Sequence, residues 1–464
     1  MEQVIAHMIP IRKASPPLLP NGFIDVPRIV SSGHANRFFP GLLPHIDEIR
    51  GREFPLFGKH GRVYLDSGAT SQEPRSVMER MFEYRLSHLR GSNHSVHSAE
   101  ARQAQEDYEG AKAKLRSFFH ANDYGIAFTS GTTGSSNLLA TRFNYDGISL
   151  VLATEAEHNS QIVTARNCAD AAGVGFNLVP VLRDGSVDFD EFNYILKKST
   201  GRILFNLVHA SNVTGAINNV EKIRQIAGDR VLIYLDMAQS AGHIPIDLGE
   251  LGVDFAGVSA HKMYGPTGIG ALFVRERENW RVGNLVSGGG AVKLVSRNAT
   301  AYADSPERFE PGTQNLEGAV EWGFAIDYLS AVGMVQIAAH DAELGRYFDQ
   351  ELAKIDHINI YSPAAREGRV PIFVFNSHYL KYGRFASELD AKGISVRDGC
   401  FCAHLVMSQL LGKPSYILDE IASELAKFGG DANFLPGAVR VSFAFYNNLM
   451  DAYRAIMAIK EIND

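Results

Sequence analysis

From about residue 61 onward, short runs that are apolar at every position alternate with stretches whose apolar residues recur at helical spacing. YGIAFTS (124–130), SLVLATE (149–155), RILFNLVHA (202–210), VLIYLDMA (231–238), DFAGVSA (254–260) and IGALFVR (269–275) read as strands. QAQEDYEGAKAKLRSFF (103–119) and NNVEKIRQIAG (218–228) read as helices. Strands that are apolar throughout, alternating with helices, predict a mainly parallel sheet covered on both faces. From about 325 the texture changes to longer helices (VEWGFAIDYLSAVG, AAHDAELGRYFDQELAKI) with a few strands (RVPIFVFN, AVRVSFA), which predicts a second, smaller α/β domain. Residues 1–60 are rich in Pro and Gly (SPPLLPNG, FFPGLLP) and lack a sustained period. They predict an extended arm that packs on the small domain or on a partner subunit. The expected division is therefore 1–60, 61–325 and 326–464, with no internal repeats.

Composition narrows the function. The 464 residues are 45% hydrophobic and 21% charged, enough for a large core. A net charge of −7 argues against a nucleic-acid or anionic-membrane partner, since either would call for a basic surface. No apolar run reaches the length of a membrane span, and the start MEQVIAHMIPIRK lacks the apolar core of a secretory signal. Three cysteines, Cys168, Cys400 and Cys402, are too few and too uneven for a disulfide framework. The expectation is a cytoplasmic protein with reduced thiols.

Ligands of open α/β sheets sit beyond the carboxyl ends of the strands, so the residues following each strand carry the candidate chemistry. After YGIAFTS comes Gly131-Thr132-Thr133-Gly134 and then a helical pattern, a turn whose N–H groups suit a phosphate. A tight turn without a ligand fits that segment equally well. Asp236 ends VLIYLD, where a carboxylate can keep a proton on a pyridine nitrogen, or can simply cap a helix. Lys262 follows DFAGVSA and His261. Desolvation at an apolar strand end lowers an amine's pKa, as imine formation requires, although a lysine there can also snorkel outward. His158 after SLVLATE can stack on an aromatic ring, and Asn212 after RILFNLVHA can bond a phenolic oxygen. Each residue alone is more often structural. Five strand ends with suitable polar residues are much harder to assemble by chance.

In order, the segments Gly131-Thr132-Thr133, Glu157-His158, Ser211-Asn212-Val213-Thr214-Gly215, Asp236-Met237-Ala238-Gln239 and Ser259-Ala260-His261-Lys262 through Gly270 resemble the class V aminotransferase family. Within it the chain is most similar to the SufS-type (group II) cysteine desulfurases and the related selenocysteine lyases, from about Tyr64 to the C-terminus. The resemblance implies the fold type I of pyridoxal-phosphate (PLP) transferases, with a large domain and a smaller C-terminal α/β domain. By it, Lys262 carries PLP, Asp236 pairs with the pyridine nitrogen, and His158 stacks on the ring. Asn212 and Gln239 contact the phenolic oxygen, while Thr132, Thr133, Ser259 and His261 hold the phosphate. Arg308-Phe309-Glu310-Pro311-Gly312-Thr313 matches the family's RFE-x-G-T, whose Thr reaches the neighbouring subunit's phosphate, which implies a homodimer. Arg397-Asp398-Gly399-Cys400-Phe401-Cys402-Ala403 resembles R-x-G-x-x-C-A. There Arg397 clamps the substrate carboxylate, with Arg440 the alternative arginine, and Cys402 takes sulfur as a persulfide, for delivery to an acceptor protein. A metal site or two packing cysteines are the other readings of the C-x-C pair, and no second cysteine cluster supports a metal.

The chain departs from that pattern in several places. Asn159 stands where a second His is usual, Leu405 stands where Pro is frequent, and Cys400 is an additional thiol. The segment from about 415 to 436 is longer than usual, and Ser92-Asn93-His94-Ser95-Val96-His97 matches an RGIHT-like motif only loosely. The expected activity is conversion of L-cysteine to L-alanine with a persulfide on Cys402. Competing activities are another class V PLP reaction (C–S or selenocysteine lysis, transamination or epimerisation) and a non-catalytic scaffold.

Overall fold

The computed structural model describes residues 15–92, 97–283, 288–304, 307–363, 368–429 and 436–464. Seven strands form the main sheet: β1 (Tyr124–Thr129), β2 (Ile148–Thr154), β3 (Gly175–Val179), β4 (Arg202–Val208), β5 (Val231–Asp236), β6 (Phe255–Ser259) and β7 (Gly270–Arg275). Their spatial order is β1-β7-β6-β5-β4-β2-β3. Neighbours from β6 to β3 run parallel, whereas β7 is antiparallel to both β1 and β6. The connection 260–269 is too short for a crossover, so the chain turns straight back into β7. Because β7 reverses twice over, the carboxyl end of β1 shares an edge with those of β2–β6.

Alternation explains why the inner strands are apolar throughout. Leu152, Phe205, Ile233, Leu235 and Val258 face one core with Leu115, Phe119, Trp322 and Leu329. Val151, Leu204, Leu232, Tyr234 and Phe255 face the other, with Leu139, Ala165 and Ala169. The helices α1 (Ala99–Phe118) and α4 (Leu316–Val332) supply the first layer, and α2 (Thr132–Arg142) and α3 (Asn159–Ala172) the second. The apolar pattern does not mark β3, an edge strand with two exposed positions.

A four-stranded antiparallel sheet contains β8 (Ile358–Ile360), β9 (Ile372–Ser377), β10 (Arg397–Gly399) and β11 (Ala438–Ser442), in the order β8-β9-β11-β10. It shares a core with α5 (Met334–Leu352) and the last helix, α6 (Leu449–Asn463), through Phe348, Phe373, Val441 and Ile456. Phe23, Ile24, Val26 and Phe39 from the N-terminal segment join that core, each burial worth roughly 1.5–3 kcal/mol. Side chains of α5 also take its backbone N–H groups: Ile24 on Glu351 Oε2 (3.0 Å), Gly41 on Glu343 Oε2 (3.1 Å) and Leu43 on His340 Nδ1 (3.0 Å). Residues 1–14 of the expected arm lie outside the described residues. Among the described residues, no single helix is long and apolar enough to cross a membrane.

Candidate active site

The carboxyl ends of β1, β2, β4, β5 and β6 open on one cavity of about 290 Å³, where ligands of open parallel sheets bind. Thr132, Thr133, His158, Asn212, Asp236, Gln239, Ser259, His261 and Lys262 line it from the main sheet, and Arg397 and Cys402 from the other side. Of the candidates named from the sequence, Thr313 alone is absent from the lining; it is exposed on the loop before α4. The Arg308–Phe309 part of its motif is held by Arg308 on the Asn279 and Val282 carbonyls. Asn93–Val96, in the loosely matching segment, lie outside the described residues.

Lys262 closes a single 3₁₀ turn (Ala260–Lys262) that follows β6. Gly242 lies so close that a Cβ there would sit 2.4 Å from the Lys262 carbonyl oxygen, so the lysine backbone needs a glycine beside it. Burial lowers the Lys262 amine to about 8, with Arg440 pushing the same way; Asp236, Cys402 and Asp66 oppose the shift. The amine is thus within reach of its neutral, nucleophilic form near neutral pH.

At one end of the cavity, Ser259 Oγ accepts the Thr132 backbone N–H at 2.8 Å and lies 2.8 Å from Thr132 Oγ1. Gly131 has φ +138, and a Cβ on Gly270 would meet its Cα at 2.5 Å, so backbone passes backbone here without side chains between. This leaves a polar pocket at the N-terminus of α2, suited to a phosphate. His261 stands beside it, its Nδ1 3.1 Å from Thr70 Oγ1. Burial lowers its pKa to about 4, helped by Lys262, so its ring is neutral.

Further along, Asp236 receives the Ala238 N–H at 2.9 Å and Gln161 Nε2 at 3.0 Å. His158 caps α3: the Ser160 N–H donates to its Nδ1 at 3.2 Å, leaving the ring proton on Nε2. Burial pushes the His158 pKa down, against the pull of Asp236. Glu157 shapes this turn by accepting from Thr154 Oγ1 and the Val208 N–H, both at 2.7 Å. Asn212 spends one amide bond on the Phe401 carbonyl (2.7 Å), and its buried Oδ1 has no partner. Gln239 is anchored by the Gly68 carbonyl at 2.7 Å. An orphaned amide oxygen, a buried carboxylate and a depressed lysine around one cavity fit a polar aromatic cofactor with an aldehyde and a phosphate.

The two arginines at the cavity come from adjacent strands. Arg397 on β10 and Arg440 on β11 are directly opposite in register. Like charges in that position repel unless an anion lies between them. Asp66 partly fills the role, 3.1 Å from Arg440 Nη2 and 3.9 Å from Arg397 Nη1. The Arg440 side chain is 4% exposed and that of Arg397 56%, so the outer fork is free to take a second carboxylate.

Cys402 sits on a tight turn in which the Ala403 N–H donates to the Cys400 carbonyl at 3.1 Å. Its two central residues, Phe401 (φ 56) and Cys402 (φ 54), are both left-handed, the pattern of a type I′ turn. Neither is Gly or Asn, and each costs roughly 1–2 kcal/mol in that conformation. Strain of this kind persists only where surrounding contacts hold it. Here the carbonyls of Phe401 and Cys402 are held by Asn212 Nδ2 (2.7 Å) and the Asn159 N–H (2.6 Å). Cys402 is exposed and lines the cavity, whereas Cys400 is half-buried and does not. Among the described residues, no group of His, Cys, Asp and Glu has metal-binding geometry.

Arg440, the alternative arginine for the substrate carboxylate, is a charged residue inside the apolar run AVRVSFA. Two further contributors were absent from the candidate residues. Gln161, on Asp236, and Asp66, on both arginines, are brought there by packing between distant segments.

The sequence pattern of the family described as Aminotransferase class-V matches residues 63–454. A probable cysteine desulfurase of Halalkalibacterium halodurans is 36% identical over 75% of this chain and 86% of its own. A cysteine desulfurase of Dickeya dadantii is 34% identical, covering 80% of this chain and 90% of its own. Among solved structures, the apo cysteine desulfurase of Thermococcus onnurineus NA1 superposes with a TM-score of 0.80 at 28% identity, over 91% of this chain and 98% of its own.

Proposed function

The chain belongs to the class V aminotransferase family, and from that premise we propose that it is a PLP-dependent cysteine desulfurase. Lys262 and Cys402 facing one cavity, below a pair of arginines, is the observation that carries the reading. PLP bound there would supply a ring that stores the electron pair left when the substrate α-proton departs. Lys262 would hold the cofactor, and its amine, when free, takes the substrate α-proton. Asp236 would keep the ring nitrogen protonated, His158 would stack on the ring, and Asn212 and Gln239 would contact its phenolic oxygen. Thr132, Thr133, Ser259 and His261 would hold the phosphate. The Cys402 thiolate attacks the substrate sulfur: an S–S bond forms, the Cβ–S bond breaks, and its electron pair picks up a proton. One cysteine and one thiol thus yield one alanine and one persulfide. Product analysis with L-cysteine should find alanine and transferable sulfur in equal amounts; amino-acid turnover without alanine would instead mean another class V reaction. The exposed Cys402 suits delivery to an acceptor protein, and three unpaired thiols suit the cytoplasm.

Arg397 and Arg440 take the substrate carboxylate together. Arg397→Lys keeps the charge and loses the planar fork, so KM for L-cysteine should rise roughly ten-fold with kcat less affected. An unchanged KM would place the clamp on Arg440 alone.

The active form is a homodimer in which Thr313 reaches the partner's phosphate site. Met78, Phe82, Leu86 and Leu89 form an exposed apolar stripe on and just beyond the helix Arg75–Ser87. Arg85 and Arg90 both pair with Glu317, at the start of α4, which brings the end of that stripe beside the Thr313 loop. Sedimentation should show a dimer, and Phe82→Glu with Leu86→Glu should give a folded monomer with most activity lost. A fully active monomer would remove Thr313 from the phosphate site.

A further inference from the structure

We propose that Asn159 is a positioning residue for the Cys402 nucleophile, clasping the cysteine turn to the start of α3 through the His404 ring. The inference rests on Cys402 being the sulfur acceptor and adds what holds that thiol in place. Asn159 does not line the cavity, so it acts through the turn rather than on substrate or cofactor.

The left-handed pair Phe401–Cys402 needs external partners, and Asn159 supplies the one on Cys402 while also holding His404, the residue just after the turn. Its backbone N–H donates to the Cys402 carbonyl at 2.6 Å. Its Nδ2 donates to His404 Nδ1 at 3.0 Å, and its Oδ1 faces the His404 N–H at 3.5 Å. One side chain therefore grips the residue two places beyond the nucleophile, while its own backbone grips the nucleophile. The adjacent residue, His158, lines the cavity, so the clasp ties the thiol-bearing turn to the segment that carries His158.

The chemistry of the clasp is specific to an amide. Nδ2 can only donate, so His404 Nδ1 must accept and its ring proton sits on Nε2. Oδ1 can only accept, which matches the His404 N–H. A carboxamide presents donor and acceptor in one plane, whereas Ala offers neither, a carboxylate no donor, and an imidazole no carbonyl.

Asn159→Ala keeps the backbone bond and removes the side-chain clasp. In the holoenzyme it should leave KM and the spectral response to L-cysteine unchanged and slow single-turnover persulfide formation roughly ten-fold or more, since small misplacements of a reacting atom carry penalties of that size. Alkylation of Cys402 by iodoacetamide, followed by mass spectrometry of its peptide, should be several-fold faster as the turn loosens. His404→Ala should reproduce both effects, and the double variant should be no worse than either single one, because both remove one link. Additive losses, or an unchanged alkylation rate in both single variants, would overturn the clasp. Should Asn159→Ala not fold, His404→Ala alone carries the same two readouts. If Cys402 proves not to be the acceptor, the alkylation comparison still tests the clasp, because it needs no turnover.

Discussion

Cys402→Ser is expected to bind L-cysteine and shift the visible spectrum as the wild type does, yet to release alanine and sulfur at below roughly a thousandth of its rate. On the proposed mechanism, binding and α-proton removal draw on Lys262, Asp236 and the arginine pair, all untouched by the substitution. Sulfur transfer needs a thiolate, and Cys402 is the thiol of the turn that lines the cavity. A serine hydroxyl is far less ionised and cannot form the S–S bond. Cys400→Ser should be much milder, because Cys400 is half-buried and lies outside the lining. The measurement is alanine and sulfide release beside the spectral titration. Loss of activity in Cys400→Ser with Cys402→Ser intact would shift the nucleophile by two residues. Full amino-acid turnover in both would make this another class V reaction on the same fold.

Lys262→Ala should lose covalent cofactor attachment and, with it, at least about a thousand-fold in turnover, because one amine both anchors the cofactor and moves the α-proton. Hydride reduction of the wild-type holoenzyme should fix the label on the peptide containing Lys262; recovery on another lysine would overturn the assignment. The depressed amine adds a pH signature. With a pKa near 8, about a tenth of the amine is neutral at pH 7, against less than a thousandth for an ordinary lysine. Covalent capture of PLP by cofactor-free protein should therefore rise with pH and level off above about pH 8. A rate still climbing toward pH 10 would show that burial and Arg440 do not depress the amine.

Much of the site was legible because its chemistry is local to strand ends. A strand that is apolar throughout and then meets Asp236, or His261 and Lys262, announces a polar residue at the rim of a buried sheet; six of the seven main strands showed as apolar runs, and five of them ended in such a residue. The seventh, β3, did not, because an edge strand needs no apolar face on its open side. The reversal of β7 follows from the shortness of the 260–269 connection. Its consequence, β1 presenting Thr132 and Thr133 on the same edge as Lys262, requires the pairing itself.

By itself, then, the sequence determined the class of fold, the strand-end residues and the spacing of the Arg397–Cys402 motif, all properties of short segments with a period or a motif. Tertiary structure alone decided which distant segments meet. Arg440 is opposite Arg397 only because β10 and β11 pair in one register, and Asp66 lies between them only because residues 63–66 run alongside the second sheet. Gln161 becomes a partner of Asp236 only once α3 is packed on the main sheet. Asn159 looked like a mere departure from a pattern until the cysteine turn, more than two hundred residues away, was found docked on it. No periodicity records such contacts, because each depends on where the whole chain places two unrelated backbones.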